Sequence, residues 1–306
     1  MSVTDANLTP APQEPAAEGG AIAASGSPWQ LVLRTFAQNK LALIGVGIII
    51  ALVIFSFIGP LIYKSQQTID APILSNLAPN GHFPLGADQS GFDILGRLMV
   101  GGQPVMEIGL SVGIISTLIG VIYGAVSGYF GGWVDSVMMR IIDVGLSLPI
   151  VVLFIFLSVV FKPSVILLIA LLVATSWLVP ARLVRGESLV LRSREYVQAV
   201  RGMGGSSTRI IFKHLIPNTI GTIVVSITFQ VANAILTLTI LQFVGFGLSP
   251  TVANWGTMLT DGTNSLQLGY WWQVYPVLLL IVLVVLAFNF IGDALQDAFD
   301  VRLQER

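Results

Sequence analysis

The chain is 306 residues long, 54% hydrophobic and only 10% charged, with a formal net charge of -1. A soluble domain of this length does not stay dissolved with so few charges, so the composition specifies an integral membrane protein. Basic residues confined to a few loops exclude a nucleic-acid-binding face, the absence of cysteine excludes disulfides and thiol chemistry, and His82 and His214 are too few and too far apart for a histidine metal site.

Residues 1–28 are rich in Ala, Pro, Gly, Ser and Glu, with too few aliphatics to offset the entropy of ordering, which predicts a disordered tail and not a secretory signal. From Leu41 to Tyr63 the chain is uncharged and mostly aliphatic, roughly 34 Å as a helix and long enough to cross a bilayer core. Similar runs cover Ile108 to Phe130, Val144 to Phe161, Pro163 to Ala181, Asn218 to about Leu248, and Gln273 to Gly292. The expectation is an all-α protein with six transmembrane helices.

Basic residues orient it. With the N-terminus inside, Arg34, Lys40, Arg140, the seven Lys and Arg between Arg182 and Pro217, Arg302 and Arg306 are cytoplasmic, while Lys64, Arg97 and Lys162 are outside. Twelve against three places both termini in the cytoplasm. Trp255, Tyr270, Trp271, Trp272 and Tyr275 before the last span fit an outer interfacial belt.

Two external segments are longer than turns. The first, Lys64 to about Val105, has Ile94, Leu95, Leu98 and Met99 at helical spacing, which predicts an interfacial helix on the outer leaflet. The second, residues 245–272, is rich in Gly, Ser, Thr and Asn and suits a re-entrant cap covered by protein. Near the third span Arg140 and Asp143 stand at i, i+3, a spacing that predicts a salt bridge pinning the helix end. No carboxylate falls at mid-bilayer, which argues against an ion-coupled carrier or channel, and no nucleophile–base pattern, HExxH or phosphate loop with its lysine appears. If transport is active, its energy comes from another chain.

Arg182 to Pro217 is the one long polar island in the apolar region. Tyr196, Val197, Val200 and Met203 recur at i, i+1, i+4 and i+7 as an apolar stripe, with Arg194, Gln198 and Arg201 off it, which predicts a short amphipathic helix. Gly204 and Gly205 stop that helix, Ser206 or Ser207 caps a second through Ile210 and Phe212, and Pro217 breaks the chain again. The predicted unit is helix, tight turn, helix.

This island resembles the EAA loop of importer permeases of the ATP-binding cassette class. Gly204, Ala199 and Pro217 match the pattern; Gln198 stands where the acid is usual, with Glu195 one turn earlier as a substitute. The likeness extends to the dipeptide, oligopeptide and nickel permeases, the second permease subunit in particular. HFPLGADQSGFDILGRLMVGG resembles that subfamily's LGTDxxGRDxLSRLxxG block, with Phe92 replacing Arg. Asp135, Met139, Arg140, Asp143 and Pro149 resemble DxxxMRxxDxxxxxP, REYVQAVRGMGGSSTRIIFKHLIPN resembles REYVxAARxLGAS followed by IxxRHxLPN, and NFIGDALQDAFDVRL resembles NxxGDxLRDxLDPRL.

The resemblance implies a type I importer permease fold: a tail over 1–28, a first span with external loop over 29–104, a core over 105–295 holding the coupling loop 182–217 and external loop 245–272, and a cytoplasmic tail over 296–306. It implies a multi-pass protein of the bacterial cell membrane that moves dipeptides or oligopeptides inward by alternating access. The partners it implies are a homologous second permease, two ATPases that bind ATP and magnesium in place of this chain, and an extracytoplasmic substrate-binding protein. Nickel chelates and haem are the alternative passengers. Arg194, Glu195, Tyr196, Val197, Gln198, Ala199, Val200, Arg201, Met203, Gly204 and Gly205 would couple to the ATPases, with the apolar stripe as the docking face. Asn233, Leu238 and Gln242 would line the path; relatives carry Glu at the Leu238 position and Ser at the Gln242 position. No catalytic residue, metal or cofactor site is expected in this chain.

Overall fold

The computed structural model describes residues 28–65, 71–160, 164–246 and 252–304, and the regular structure among them is helical. Most of the expected tail and residues 247–251 of the second external segment lie outside them. Helix α1 (Pro28–Gln38) precedes α2 (Lys40–Ile62), the two separated by Asn39, whose side chain accepts from the main-chain N–H of Leu41 and Ala42. Then come α3 (Ile94–Phe130), α4 (Gly132–Ser147), α5 (Ile150–Val160), α6 (Val165–Leu191), α7 (Glu195–Gly202), α8 (residues 207–218), α9 (Ile220–Phe243), α10 (Trp255–Leu266) and α11 (Tyr275–Gln304). Five of these segments are long and apolar enough to cross a membrane: α2, α3, α6, α9 and the stretch Trp271–Asp300 that includes most of α11.

The run from Val144 to Phe161 is not one long helix. Pro149 cannot continue it: the chain turns extended at Leu148, and α4 and α5 on either side are 16 and 11 residues long. The expected interfacial helix is also corrected. Ile94, Leu98 and Met99 begin α3 itself, 37 residues long, and are buried, Ile94 and Leu98 against α2, α9, α10 and α11 and Met99 beside Gly59 of α2, not spread on a leaflet. The expected C-terminal tail over 296–306 remains helical through Gln304, and its Ala298 and Phe299 pack on Val32 of α1. Trp29 meets Phe299 edge to face, at 6.0 Å between centroids.

Helix α3 is central: 56% of its most apolar window is buried, against 22% for α2. Glycines make this possible. A Cβ at Gly120, Gly124 or Gly128 would stand 2.8, 2.3 or 2.8 Å from the carbonyl oxygens of Trp177, Ala181 and Arg185, so α3 and α6 meet backbone to backbone along a four-residue repeat. Toward α9, Gly109 makes room for the Ile235 side chain and Gly113 for the side chain and main chain of Val231. Two prolines are accommodated by amide side chains from neighbouring helices. Pro60 and Pro180 lack the N–H that would bond the carbonyls of Ser56 and Ser176, and Gln103 Nε2 (2.8 Å) and Gln230 Nε2 donate to those two carbonyls instead. At the first, the helix opens into a π turn over Ile54–Ile58.

A side chain on Gly124 has nowhere to go, whereas a Cβ on Gly47 meets nothing within 4 Å. Gly124→Val is expected to cost on the order of 3 kcal/mol and lower the melting temperature of the purified protein, with Gly47→Ala close to neutral. Equal melting temperatures for the two variants would refute the seam.

Candidate functional site

Two features occupy the end of the bundle where α3 and α6 finish: the helix–turn–helix of the polar island and an open groove beside it. Residues 182–191 of the island belong to α6. Arg185 lies along α4 there, its Nη2 2.6 Å from Asp135 Oδ2, while Ser127 donates to Asp135 Oδ1 at 2.6 Å. Asp143 pairs with Arg182 at 2.7 Å. The expected Arg140–Asp143 pair is therefore replaced by two α4–α6 pairs, because α6 runs alongside α4 and offers both guanidiniums across the interface.

Helix α7 forms where the stripe predicted it, with Glu195 in its first turn and Arg201 in its last, the signs the helix dipole favours. Gly204, at φ 81°, makes the turn; a Cβ at Gly205 would come within 2.8 Å of the Val200 carbonyl oxygen; and Ser206 caps α8 by accepting from Arg209 N–H. Gln198 Nε2 donates to the Ser193 carbonyl at 3.1 Å, a bond that an ionised acid at this position, having no donor, does not make.

The stripe divides in two. Val197 is 2% exposed and sits in a cluster with Val121, Ala125 and Tyr129 of α3, Val184 of α6, Ile210, Ile211 and Leu215 of α8 and Ile223 of α9, and Val200 leans on it. Tyr196 and Met203 are exposed. An eight-residue helix does not stand alone in water, so half of its apolar face is used to hold it to the bundle. Of the four stripe residues only Tyr196 and Met203 are exposed, with Arg194, Glu195, Gln198, Ala199, Arg201 and Gly204 exposed around them.

The groove, about 620 Å³, lies between α6, α9 and the end of α11. Asn218, Thr222, Ser226, Gln230 and Asn233 line it from one side, spaced mostly four apart, with Glu187 of α6 facing them and accepting from the Thr222 hydroxyl. Of the three residues expected to line a path, only Asn233 is here. Leu238 is fully buried against Ile108, Val112, Leu168 and Leu241, and Gln242 is fully buried beneath Gly256 of α10. Glu187, Thr222 and Gln230 escaped sequence analysis, although the four-residue recurrence of polar residues along the fifth apolar run was there to be read.

At the opposite end, the loop before α3 and helix α10 form a cap. Asp93 caps α3, and Arg97 pairs with Asp88 at 3.2 Å while lying 4.2 Å over the Phe92 ring, so the residue that departs from the family block supplies a cation–π contact. Gln89 donates to Ser265 Oγ at 2.6 Å, and Gln273 to Asn76 Oδ1 at 2.8 Å. Burial and the neighbouring Asp93 push the Tyr63 hydroxyl up to about 12, and burial raises the Asp88 carboxyl despite Arg97. Trp255 is not part of an interfacial belt: it is fully buried and donates to the Leu98 carbonyl at 2.9 Å, so α10 folds back into the protein.

Two measurements test this geometry. Gln230→Leu strands the Ser176 carbonyl and is expected to cost about 1–3 kcal/mol, most of it recovered when Pro180→Ala restores a main-chain donor; additive effects would rule out the exchange. Val197→Asp is expected to destabilise by on the order of 4 kcal/mol and Met203→Asp by less than about 0.5 kcal/mol, read as thermal melting in detergent.

Comparison with known proteins agrees with this arrangement. A family described as binding-protein-dependent transport system inner membrane component matches residues 117–305, and the N-terminal TM domain of oligopeptide transport permease C matches residues 27–79. The chain is similar to the dipeptide transport system permease protein DppC of Bacillus subtilis, 38% identical over 89% of this chain and 85% of the relative. It is likewise similar to the oligopeptide transport system permease protein OppC of Haemophilus influenzae, at 36% over 90% and 88%, and to that of Mycobacterium tuberculosis, at 36% over 88% and 93%. The chain belongs to the family of binding-protein-dependent transport system inner-membrane components, as a multi-pass permease of the bacterial inner membrane.

Proposed function

We propose that this chain is the second permease of an ATP-driven peptide importer. It pairs with a homologous permease, and two ATPases dock on the surface formed by α7 and the turn after it. The ATPases, and not this chain, hold ATP and magnesium. A binding protein delivers dipeptides or oligopeptides to the cap, and alternating access exposes the path first there and then at the groove. On this reading α4 and α5 form the third of six crossings, broken at Pro149, with both termini and the island in the cytoplasm, as the distribution of basic residues favours. The division at 28, 104, 182–217, 245–272 and 296 stands as the functional division of the chain, with 296–304 serving as the end of α11. Asn233 faces the path; Leu238 and Gln242 shape it from behind through packing.

The observation that carries this reading is the anchored island. An exposed pair, Tyr196 and Met203, is mounted on a helix whose other face, Val197 and Val200, shares a core with α3, α6, α8 and α9. A push on that pair reaches the long helices without an intervening flexible joint. The relatives' names supply the passenger class, and Gln198 in place of the usual acid is consistent with coupling through shape and apolar contact.

The test is co-purification and uptake. The assembled complex in vesicles is expected to accumulate peptide only with ATP, and Met203→Asp or Tyr196→Asp is expected to lower ATPase association at least about tenfold while the permease stays inserted. Uptake by this polypeptide alone, without nucleotide, would overturn the importer reading.

A further inference from the structure

Glu187 sits in the last turns of α6, beyond the apolar run of that helix, and lines the groove. It is partly buried, and none of the three ion pairs among the described residues uses it. Its recorded hydrogen bond comes from Thr222, which leaves carboxylate lone pairs for something else. Among the described residues no Lys, Arg or His lines the groove, and the charged ones that do are Glu187 and Asp300.

The uncharged groups of the wall have the same bias. Asn218 donates from Nδ2 to the His214 carbonyl at 2.6 Å, and Gln230 donates to the Ser176 carbonyl. Each commits an amide hydrogen to the main chain, and the two side-chain carbonyl oxygens receive no donor among the described residues. Among the described residues the wall thus presents acceptors and negative charge and no fixed cation. A passenger carrying an ammonium or guanidinium group meets complementary chemistry, and one carrying an extra carboxylate does not.

We propose that Glu187 is a specificity-determining residue: its carboxylate takes the cationic group of the passing substrate and biases transport toward cationic over anionic passengers. This rests on reading the groove as a wall of the path. A purely structural role, bracing α6 to α9 through Thr222, leaves passenger charge without effect.

The test uses the complete importer in vesicles, with Ala-Lys-Ala, Ala-Ala-Ala and Ala-Glu-Ala each supplied at saturation of the binding protein, so that capture outside is equal. The quantity read is the ratio of Ala-Lys-Ala to Ala-Glu-Ala uptake, internal to each variant and independent of how much complex assembles. Glu187→Gln is expected to lower that ratio about fivefold or more, Glu187→Asp to keep most of it, and Asn233→Asp, which adds a carboxylate to the same wall, to raise it. The last variant tests the proposal even if Glu187→Gln does not assemble. A ratio unmoved by Glu187→Gln or by Asn233→Asp overturns the proposal while leaving peptide import intact. Release of the second permease in Glu187→Gln also overturns it, assigning Glu187 to a subunit-bridging ion pair. Absence of ATP-dependent uptake of all three peptides by the wild-type complex overturns the import reading, and this proposal with it.

Discussion

The contact of α3 with α6 is backbone on backbone, and the remaining helices are arranged around it. In a bilayer the solvent is as apolar as the side chains, so helices gain little by hiding leucine from lipid and associate where they can approach closely. Gly120, Gly124 and Gly128 permit that approach, and Ala181 and Ser188 on α6 are small enough to return it. With the two axes so close, Arg182 and Arg185 fall within reach of Asp143 and Asp135 on α4. The polar pairs follow from the seam; they do not create it.

A second constraint acts at the prolines. Each proline within a long helix leaves a carbonyl without its donor, and in hydrocarbon such a group has no water to turn to. Gln103 and Gln230 answer this at Ser56 and Ser176, each from a different helix. The amides thereby join α3 to α2 and α9 to α6 at points where a kink would otherwise be a weak spot. Gln230 does this from the groove wall, so one side chain shapes both the helix and the surface beside it.

Much of the architecture was legible in the sequence. Long uncharged runs located the membrane helices within a few residues at the first and fifth, and the Gly204–Gly205 turn with a serine cap at 206 or 207 was readable because backbone angle and capping chemistry are local properties. The start of α3 was not, since Ile94 to Met99 at helical spacing fits a leaflet surface as well as a buried helix, and only packing with α10 and α11 decides. Arg140 was a poorer partner for Asp143 than Arg182, a residue 39 positions away that no local spacing rule can see. Val197 and Met203 share an apolar stripe in the sequence, yet one is buried in the bundle and the other exposed; helical period tells which residues lie together, not which neighbour covers them. The groove residues went unread because a polar residue every fourth position is diluted by the aliphatics between them.

The junction of α1 with the end of α11 carries a consequence for biogenesis. Val32 and Phe36 near the start are covered by Leu295, Ala298 and Phe299 near the finish. During synthesis α1 emerges well before the end of α11 that shields its apolar face, so α1 waits through translation of all the helices between them before its native contact exists. A chain cut short before Ala298 leaves that face bare, so a truncation in α11 exposes apolar surface on α1 as well.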